Sequence, residues 1–358
     1  MSARIRFAIL SFAHYHATFW ADAINHAPDA ELVGIWDDDP GRGEEAAAAY
    51  GARFEPHLDR LLAACDAVGI TSETSKHADL VEAAAAAGKH ILLEKPMATS
   101  VAECDRIRAA VQDAGVIFMQ NFPKRYDPVN HELVRRVRAG ELGDVSLVRV
   151  RHGNYHLLQL AERAHTAWFC NPALSGGGAL IDEGIHAIDF LLWLLGEPER
   201  VFAQISNQTL KLGIEDTALI VLAFPNGALA EISTGNVMVA AESSIEIFGS
   251  EGSAALAGVD LASREFVRAP YLKFFRYGEE RGAWNGSEAV PYFRQGNFHQ
   301  QGPLHFLDCI RGGAAPVVSL EDGRKSLVIV EAAYRAARTG QSQLLDFGQD
   351  AARRQADA

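Results

Sequence analysis

One run carries the strongest chemical signal in the sequence. In SGGGALIDEGIHAIDFLLWLLG, residues 175–196, Asp182, His186 and Asp189 are spaced i, i+4 and i+7. That spacing lays a carboxylate, an imidazole and a second carboxylate along one face of a helix. A carboxylate and an imidazole one turn apart, entered from a glycine-rich turn, can share one small polar substrate. Ile181, Ile185, Ile188, Leu192 and Leu195 form the stripe that would bury against a sheet. Taken alone, the same spacing also fits an ordinary amphipathic helix whose Asp and His meet water.

The elements that must position these residues begin upstream. Apolar runs at Ile5–Leu10, Leu32–Trp36, Ala67–Ile70, His90–Leu93 and Val116–Gln120 alternate with helical patterns at Thr18–Ala27, Gly41–Tyr50, Lys76–Ala87 and Val101–Ala114. Thr18 is the expected cap of the first helix. Strand and helix alternating through short connections specify a parallel sheet with helices on both faces, a doubly wound α/β (Rossmann) domain over residues 1–122. Ligands of such sheets sit at the carboxyl ends of the strands.

A dinucleotide is the expected ligand, yet the glycine fingerprint is absent. The turn after Leu10 reads Ser11-Phe12-Ala13-His14-Tyr15-His16, and the first glycine of the chain is Gly34. Ser11 and Ala13 are small enough for a tight turn, whereas His16 stands where glycine normally lets helix and strand approach. A helix N-terminus still offers N–H groups and a positive dipole end to a pyrophosphate, so Phe12, Ala13 and His14 are the candidate cofactor contacts there. His14 or His16 could add a donor or face the substrate; a turn that no longer binds phosphate is the competing reading. Asp37, at the end of the second strand, is positioned to accept from an adenosine ribose, with an acidic strand-end cap as the alternative. Asp38 and Asp39 would repel a 2'-phosphate, which favours NAD over NADP.

Glu94-Lys95-Pro96 closes the His90–Leu93 strand. Pro96 fixes the turn and biases Lys95 towards an extended backbone. A lysine there can hydrogen-bond a substrate hydroxyl, and partial burial beside a nicotinamide cation would lower its pKa. The plain alternative is a surface Lys–Glu pair worth little.

The sequence resembles the glucose-fructose oxidoreductase / inositol dehydrogenase / rhizopine-catabolism (Gfo/Idh/MocA) family nearly end to end. AGKHILLEKPMATS is similar to that family's E-K-P motif of strand five, and SGGGALIDEGIHAIDFLLWLLG to its G-G-G-x-x-x-D-x-G-x-H motif. EDTALIVLAFPNGALAEI and IEIFGSEGSAAL look like its substrate-domain strands, and Asn121 to Gly143 like its domain crossover. The resemblance implies that Lys95 binds substrate close to the nicotinamide, with Glu94 beside the cofactor. It further implies that Asp182 orients a substrate hydroxyl, that His186 transfers a proton, and that Thr71 and His77 lie beside the cofactor. Glu73 replaces a usual proline there, a second departure after the missing glycines. Dimers or tetramers of the chain are implied as well.

Residues 123–358 are expected to form an α+β domain. Pro128–Gly140 reads as a helix, Val145–Gly153 as a strand, and Val201 to Leu256 as a large open, mostly antiparallel sheet with the 175–196 helix on one face. Its other face is then free to meet another subunit. Within the irregular stretch 154–174, Arg163, His165 and Trp168 could bind a sugar, or Trp168 could pin a minor core. The aromatic stretch 257–302 is expected to be ordered, at a subunit contact or pocket rim. Helices follow at Pro303–Arg311 and Glu321–Thr339.

Bulk properties narrow the field. The chain has 358 residues, 48% hydrophobic and 22% charged, with a formal net charge of -13. Two domains and a soluble globular class follow, and an acidic surface disfavours nucleic acid or an anionic membrane as partner. No apolar run is long enough to span a bilayer, and the N-terminal stretch lacks signal-peptide layout. Cys65, Cys104, Cys170 and Cys309 lack C-x-x-C spacing and read as reduced thiols of a cytoplasmic protein. The expectation is an NAD-dependent oxidoreductase acting on a secondary hydroxyl of a sugar, cyclitol or related polyol, with no metal. Three others are carried: transient oxidation by retained NAD driving elimination, hydrolysis or epimerisation; a sensor with a decayed dinucleotide site; and a metal enzyme using His14, His16 and His77.

Overall fold

In the computed structural model, which describes residues 3–155, 157, 164–238, 243–257, 272–276, 285–287 and 298–348, the alternating pattern folds as expected. The strands are β1 (Ile5–Leu10), β2 (Ala30–Trp36), β3 (Ala67–Ile70), β4 (His90–Glu94) and β5 (Phe118–Asn121). Between them run α1 (His16–His26), α2 (Pro40–Tyr50), α3 (Leu58–Ala64), α4 (His77–Ala86) and α5 (Val101–Ala114). All strands are parallel, in the order β2-β1-β3-β4-β5, so the first crossover leaves β1 to one side and the later ones to the other. That reversal between β1 and β3 is where a doubly wound sheet opens a crevice. The E-K-P motif ends β4, fourth in chain order and not fifth.

Three local readings change. Helix α1 begins at His16 rather than Thr18; its N-cap is Tyr15, and the Thr18 hydroxyl donates back to the Tyr15 carbonyl at 2.8 Å. Helix α3 is an addition, too short to show a clear helical period in LDRLLAA. Lys76 ends a 3-10 turn, Thr74–Lys76, that precedes α4.

The second sheet has nine strands in the order β13-β12-β11-β10-β6-β9-β8-β7-β14, with β6 and β9 the parallel pair. They are β6 (Val145–Gly153), β7 (Arg200–Ser206), β8 (Thr217–Ala223), β9 (Leu229–Gly235), β10 (Ser243–Gly249), β11 (Gly252–Ala257), β12 (Leu272–Arg276), β13 (Asn285–Ser287) and β14 (Gln343–Leu344). Helix α6 (Pro128–Arg138) precedes β6, α7 (Ile185–Leu195) precedes β7, and α8 (Phe298–Ile310) and α9 (Leu320–Thr339) follow β13. Ile185, Ile188, Leu191 and Leu194 of α7 pack with Ile220, Leu222 and Ile232 of the sheet in one core. Leu192 and Leu195, expected in the buried stripe, are only half-buried.

Helix α8 starts five residues before the expected Pro303, which lies inside it. Its Phe306 and Leu307 join the core of the first sheet beside Phe7, Trp20 and Ile24, so the chain returns to the first domain after building the second. Of the 257–302 aromatics, Phe274 is buried in β12; Phe266, Tyr271, Tyr277, Trp284, Tyr292 and Phe293 lie outside the described residues. The four cysteines are free thiols, and no helix among the described residues is long and apolar enough to cross a membrane.

Candidate active site

The helix that carries the first motif is built in two parts. Leu180–Gly184 forms a π turn that continues into α7. The glycines ahead of it are demanded by packing: a Cβ on Gly177 would stand 2.1 Å from the Tyr334 hydroxyl, and one on Gly178 would stand 2.1 Å from the Glu215 carbonyl. Glu215 holds the entry, its Oε1 accepting from the amides of Gly178 (3.1 Å) and Leu180 (2.9 Å) and from Tyr334 (2.7 Å). A buried carboxylate at a helix start thus satisfies N–H groups that would otherwise be orphaned.

Lys95 reaches this helix from the end of β4. Its ammonium donates to Asp182 Oδ1 at 2.7 Å and to the Asp182 carbonyl at 3.1 Å, joining the two motifs across the domain boundary. Two of its three protons are spent on these bonds, and one is left for a ligand oxygen. Lys95 is 3% exposed. Burial lowers its pKa, but Asp182, Glu183 and Glu94 outweigh that and the net shift is upward, which overturns the expected lowering. Burial raises the Asp182 carboxyl above its ordinary value against the pull of Lys95.

His186 lies one turn on, buried, with its Nδ1 unpartnered among the described residues. Burial first, and the Lys95 charge second, hold its pKa well below 6.5, so the ring is a neutral base. His152, on β6, stands edge-on to it with ring centroids 5.3 Å apart. Glu183 accepts from Asn154 at 2.7 Å and pairs with His152 at 2.9 Å, and that partner brings its carboxyl down to about 2 despite burial. Sequence reasoning missed His152 and Asn154; both sit at the end of β6, a strand-end position that the pattern identified without ranking its residues. Asp189 leaves the expected face and makes a bidentate pair with Arg125 at 2.8 and 2.9 Å.

The expected cofactor contacts are occupied by the protein itself. The amides of Phe12, Ala13 and His14 donate to Asp37 (2.8 Å), Ser11 Oγ (3.1 Å) and the Thr71 carbonyl (2.9 Å). Ser11 takes φ +74, the left-handed conformation that glycine adopts freely, and the Thr71 hydroxyl donates to its carbonyl at 2.6 Å. Asp37 is buried and chelated by Arg42 at 2.6 and 2.8 Å, with the Asp39 amide as a further donor. Its oxygens are spent, which corrects its expected exposure to a ribose; Asp38, paired with Arg42 and Lys76 but with 40% of its side chain exposed, is the more accessible carboxylate at that strand end. Arg42 was missed, and its signal is a cation in the first turn of the helix behind three aspartates.

Further corrections concern three residues. Glu94 is fully buried, accepting from Asn121 at 3.0 Å, because successive strand residues face opposite ways and Lys95 takes the open side. His77 is buried between the Pro96 (3.0 Å) and Ser72 (3.2 Å) carbonyls and braces the β4 turn. Trp168 is no sugar platform: it stacks on Phe169 in a small core with Ala13 and Ile214, and its indole donates to the Ala13 carbonyl at 3.0 Å. Arg163 and the His165 side chain lie outside what is described.

The donor set therefore fits a dinucleotide at its two ends, Asp38 at β2 and Lys95, Asp182 and His186 beyond β4, around the switch point of the sheet. Residues 5–122 match the oxidoreductase family with an NAD-binding Rossmann fold, and residues 131–255 match the GFO/IDH/MocA C-terminal domain. The chain is 28% identical to the scyllo-inositol 2-dehydrogenase (NAD(+)) of Bacillus subtilis, over 97% of its length and 98% of that protein's. It is 31% identical to an uncharacterised oxidoreductase of Rhizobium meliloti, covering 70% and 74% respectively. Its fold superposes on the aldose-aldose oxidoreductase of Caulobacter crescentus, crystallised with glycerol, with a TM-score of 0.80 at 28% identity, covering 96% of this chain and all of that one. The chain belongs to the Gfo/Idh/MocA family of NAD-dependent oxidoreductases.

Proposed function

We propose that the enzyme oxidises, or reduces back to, a secondary hydroxyl of a sugar, cyclitol or related polyol. The observation that carries this reading is the junction of Lys95 with Asp182 one helical turn from a neutral His186. Bound NAD supplies the hydride acceptor. In the oxidative direction His186 takes the hydroxyl proton as the hydride leaves the same carbon for NAD, Lys95 keeps its proton and donates a hydrogen bond through its remaining N–H to that oxygen, and Asp182 holds a neighbouring hydroxyl on its free Oδ2. Lys95 and His186 are buried and the Asp182 side chain is only 18% exposed, which strengthens each contact. Asp38 holds the adenosine ribose, and Lys76 and Arg42, already paired with carboxylates, leave no spare cation for a 2'-phosphate.

The working form is a homodimer or homotetramer in the cytoplasm, with the polyol as its only other partner. Support for assembly comes from the outer face of the nine-stranded sheet, where Leu219, Val221, Leu229 and Phe248 are 38–51% exposed. Replacing His186 by Ala tests the catalytic reading. Turnover is expected to fall by ~10²–10⁴ while calorimetric NAD affinity stays within about twofold. Equal loss of both would make the helix a structural element.

A further inference from the structure

A second group of titratable side chains lies beneath the β1–α1 turn and takes no part in the chemistry above. His14, His16 and Glu94 offer three ligand atoms within 4.8 Å of one another, and their residues are 2%, 2% and 0% exposed. His16 Nδ1 stands 3.2 Å from Glu94 Oε1. His299, from α8, lies against His16 with ring centroids 4.2 Å apart, and His16 lies 4.3 Å from His14. His14 Nε2 and Glu94 Oε1 make no hydrogen bond among the described residues. A buried polar atom without a hydrogen bond costs free energy, so a cluster of this kind favours a ligand that its atoms can share.

We propose that His14, His16 and Glu94, with His299 on the fourth side, form a structural divalent-metal site of the zinc type. Imidazole and carboxylate are the ligands that zinc takes, and the 3.2 Å separation matches the edge of about 3.3 Å expected for a tetrahedron with ligands ~2.0 Å from the ion. Burial keeps the His14 and His299 rings neutral, the form that ligates. His14, His16 and Glu94 are all buried, which fits a structural rather than a catalytic site. His14 Nδ1 accepts the His16 amide at 3.1 Å in this structure; ligation through Nε2 leaves the proton on Nδ1 and replaces that contact with a metal bond. The ion would tie the glycine-free turn to the end of β4 and to α8, fixing by coordination a turn that lacks the usual glycines. His77, in the sequence reading of a metal enzyme, is not part of the cluster. His152, Glu183 and His186 also converge within 4.8 Å, but both Glu183 oxygens already have hydrogen-bond partners and His186 is the base of the proposed reaction, so that group is set aside.

The test is elemental analysis of the full chain, purified without a metal-affinity column and dialysed after incubation with zinc. The expected result is about one zinc per chain in the wild type and in Glu183→Gln, and roughly a tenth of that or less in Glu94→Gln and His16→Asn. Should those two variants fail to fold, the wild type decides alone: dipicolinate should lower its melting temperature and zinc restore it, and cobalt should give the visible spectrum of a tetrahedral ion. A wild type that holds no zinc, and whose melting temperature ignores both zinc and chelator, overturns the proposal and leaves a buried water in the cluster. Zinc lost in Glu183→Gln but kept in Glu94→Gln overturns it equally, by moving the ion to the substrate cleft.

Discussion

At Lys95 two opposing forces meet, and their balance sets the chemistry of its neighbours. Burial would discharge the ammonium, but Asp182 at 2.7 Å keeps it charged, and that charge helps hold His186 neutral well below pH 6.5. In the proposed reaction the lysine is both the hydrogen-bond donor to the substrate oxygen and the group that keeps the base free of a proton. Lys95→Met should cut kcat/KM by ~10²–10⁴. It should also shift the acid limb of the profile: with the neighbouring charge gone the His186 pKa rises towards 6.5, so activity is lost at a higher pH than in the wild type. A limb that stays put, measured across buffers of constant ionic strength, would separate Lys95 from His186. These two residues were legible in the sequence because their motifs need particular residue types at fixed spacing. Asp37 was not, since an acidic strand end looks the same whether it faces a ribose or a guanidinium five residues on.

Elements decide where those side chains point. The π turn at Leu180–Gly184 shifts the helical phase of Asp182, which meets Lys95, relative to α7, where Asp189 pairs with Arg125. No residue type announces a π turn, and an i, i+4, i+7 reading cannot see it. Trp168 shows the same limit: an aromatic among polar groups reads alike as sugar platform and minor core, and only the indole bond to Ala13 decides. The glycines were legible as a turn but not as a packing demand. Gly178→Ala would push a methyl group against the Glu215 backbone and should destabilise the protein by about 1–3 kcal/mol. Thermal or urea unfolding measures this; an unchanged midpoint would mean the Glu215 segment yields freely.

For the whole molecule, the alternation of strand and helix fixed the first sheet almost strand for strand, since each apolar run had only one way to bury. The return of α8 to the first domain was not visible, because long-range packing leaves no local pattern. Arg125, in the crossover between the sheets, pairs with Asp189 of α7 and with Asp322 of α9 at 3.3 Å, binding α7 to the domain junction. The apolar outer face of the second sheet bears on assembly. Sedimentation equilibrium should give a mass of two or four chains, and Leu219→Asp with Val221→Asp should shift it towards one. A monomeric wild type at micromolar concentration would remove that face as an interface.

The central claim is that the lysine ending β4 and the imidazole of α7 serve one hydride-transfer site. Its most direct test follows NADH absorbance while the purified chain and NAD are offered a panel of polyols, cyclitols and aldoses. NADH should form with at least one of them, at a rate that falls by ~10²–10⁴ in both His186→Ala and Lys95→Met although each still binds NAD. NAD bound by the wild type without any reduction across the panel, or full turnover by His186→Ala, would contradict it.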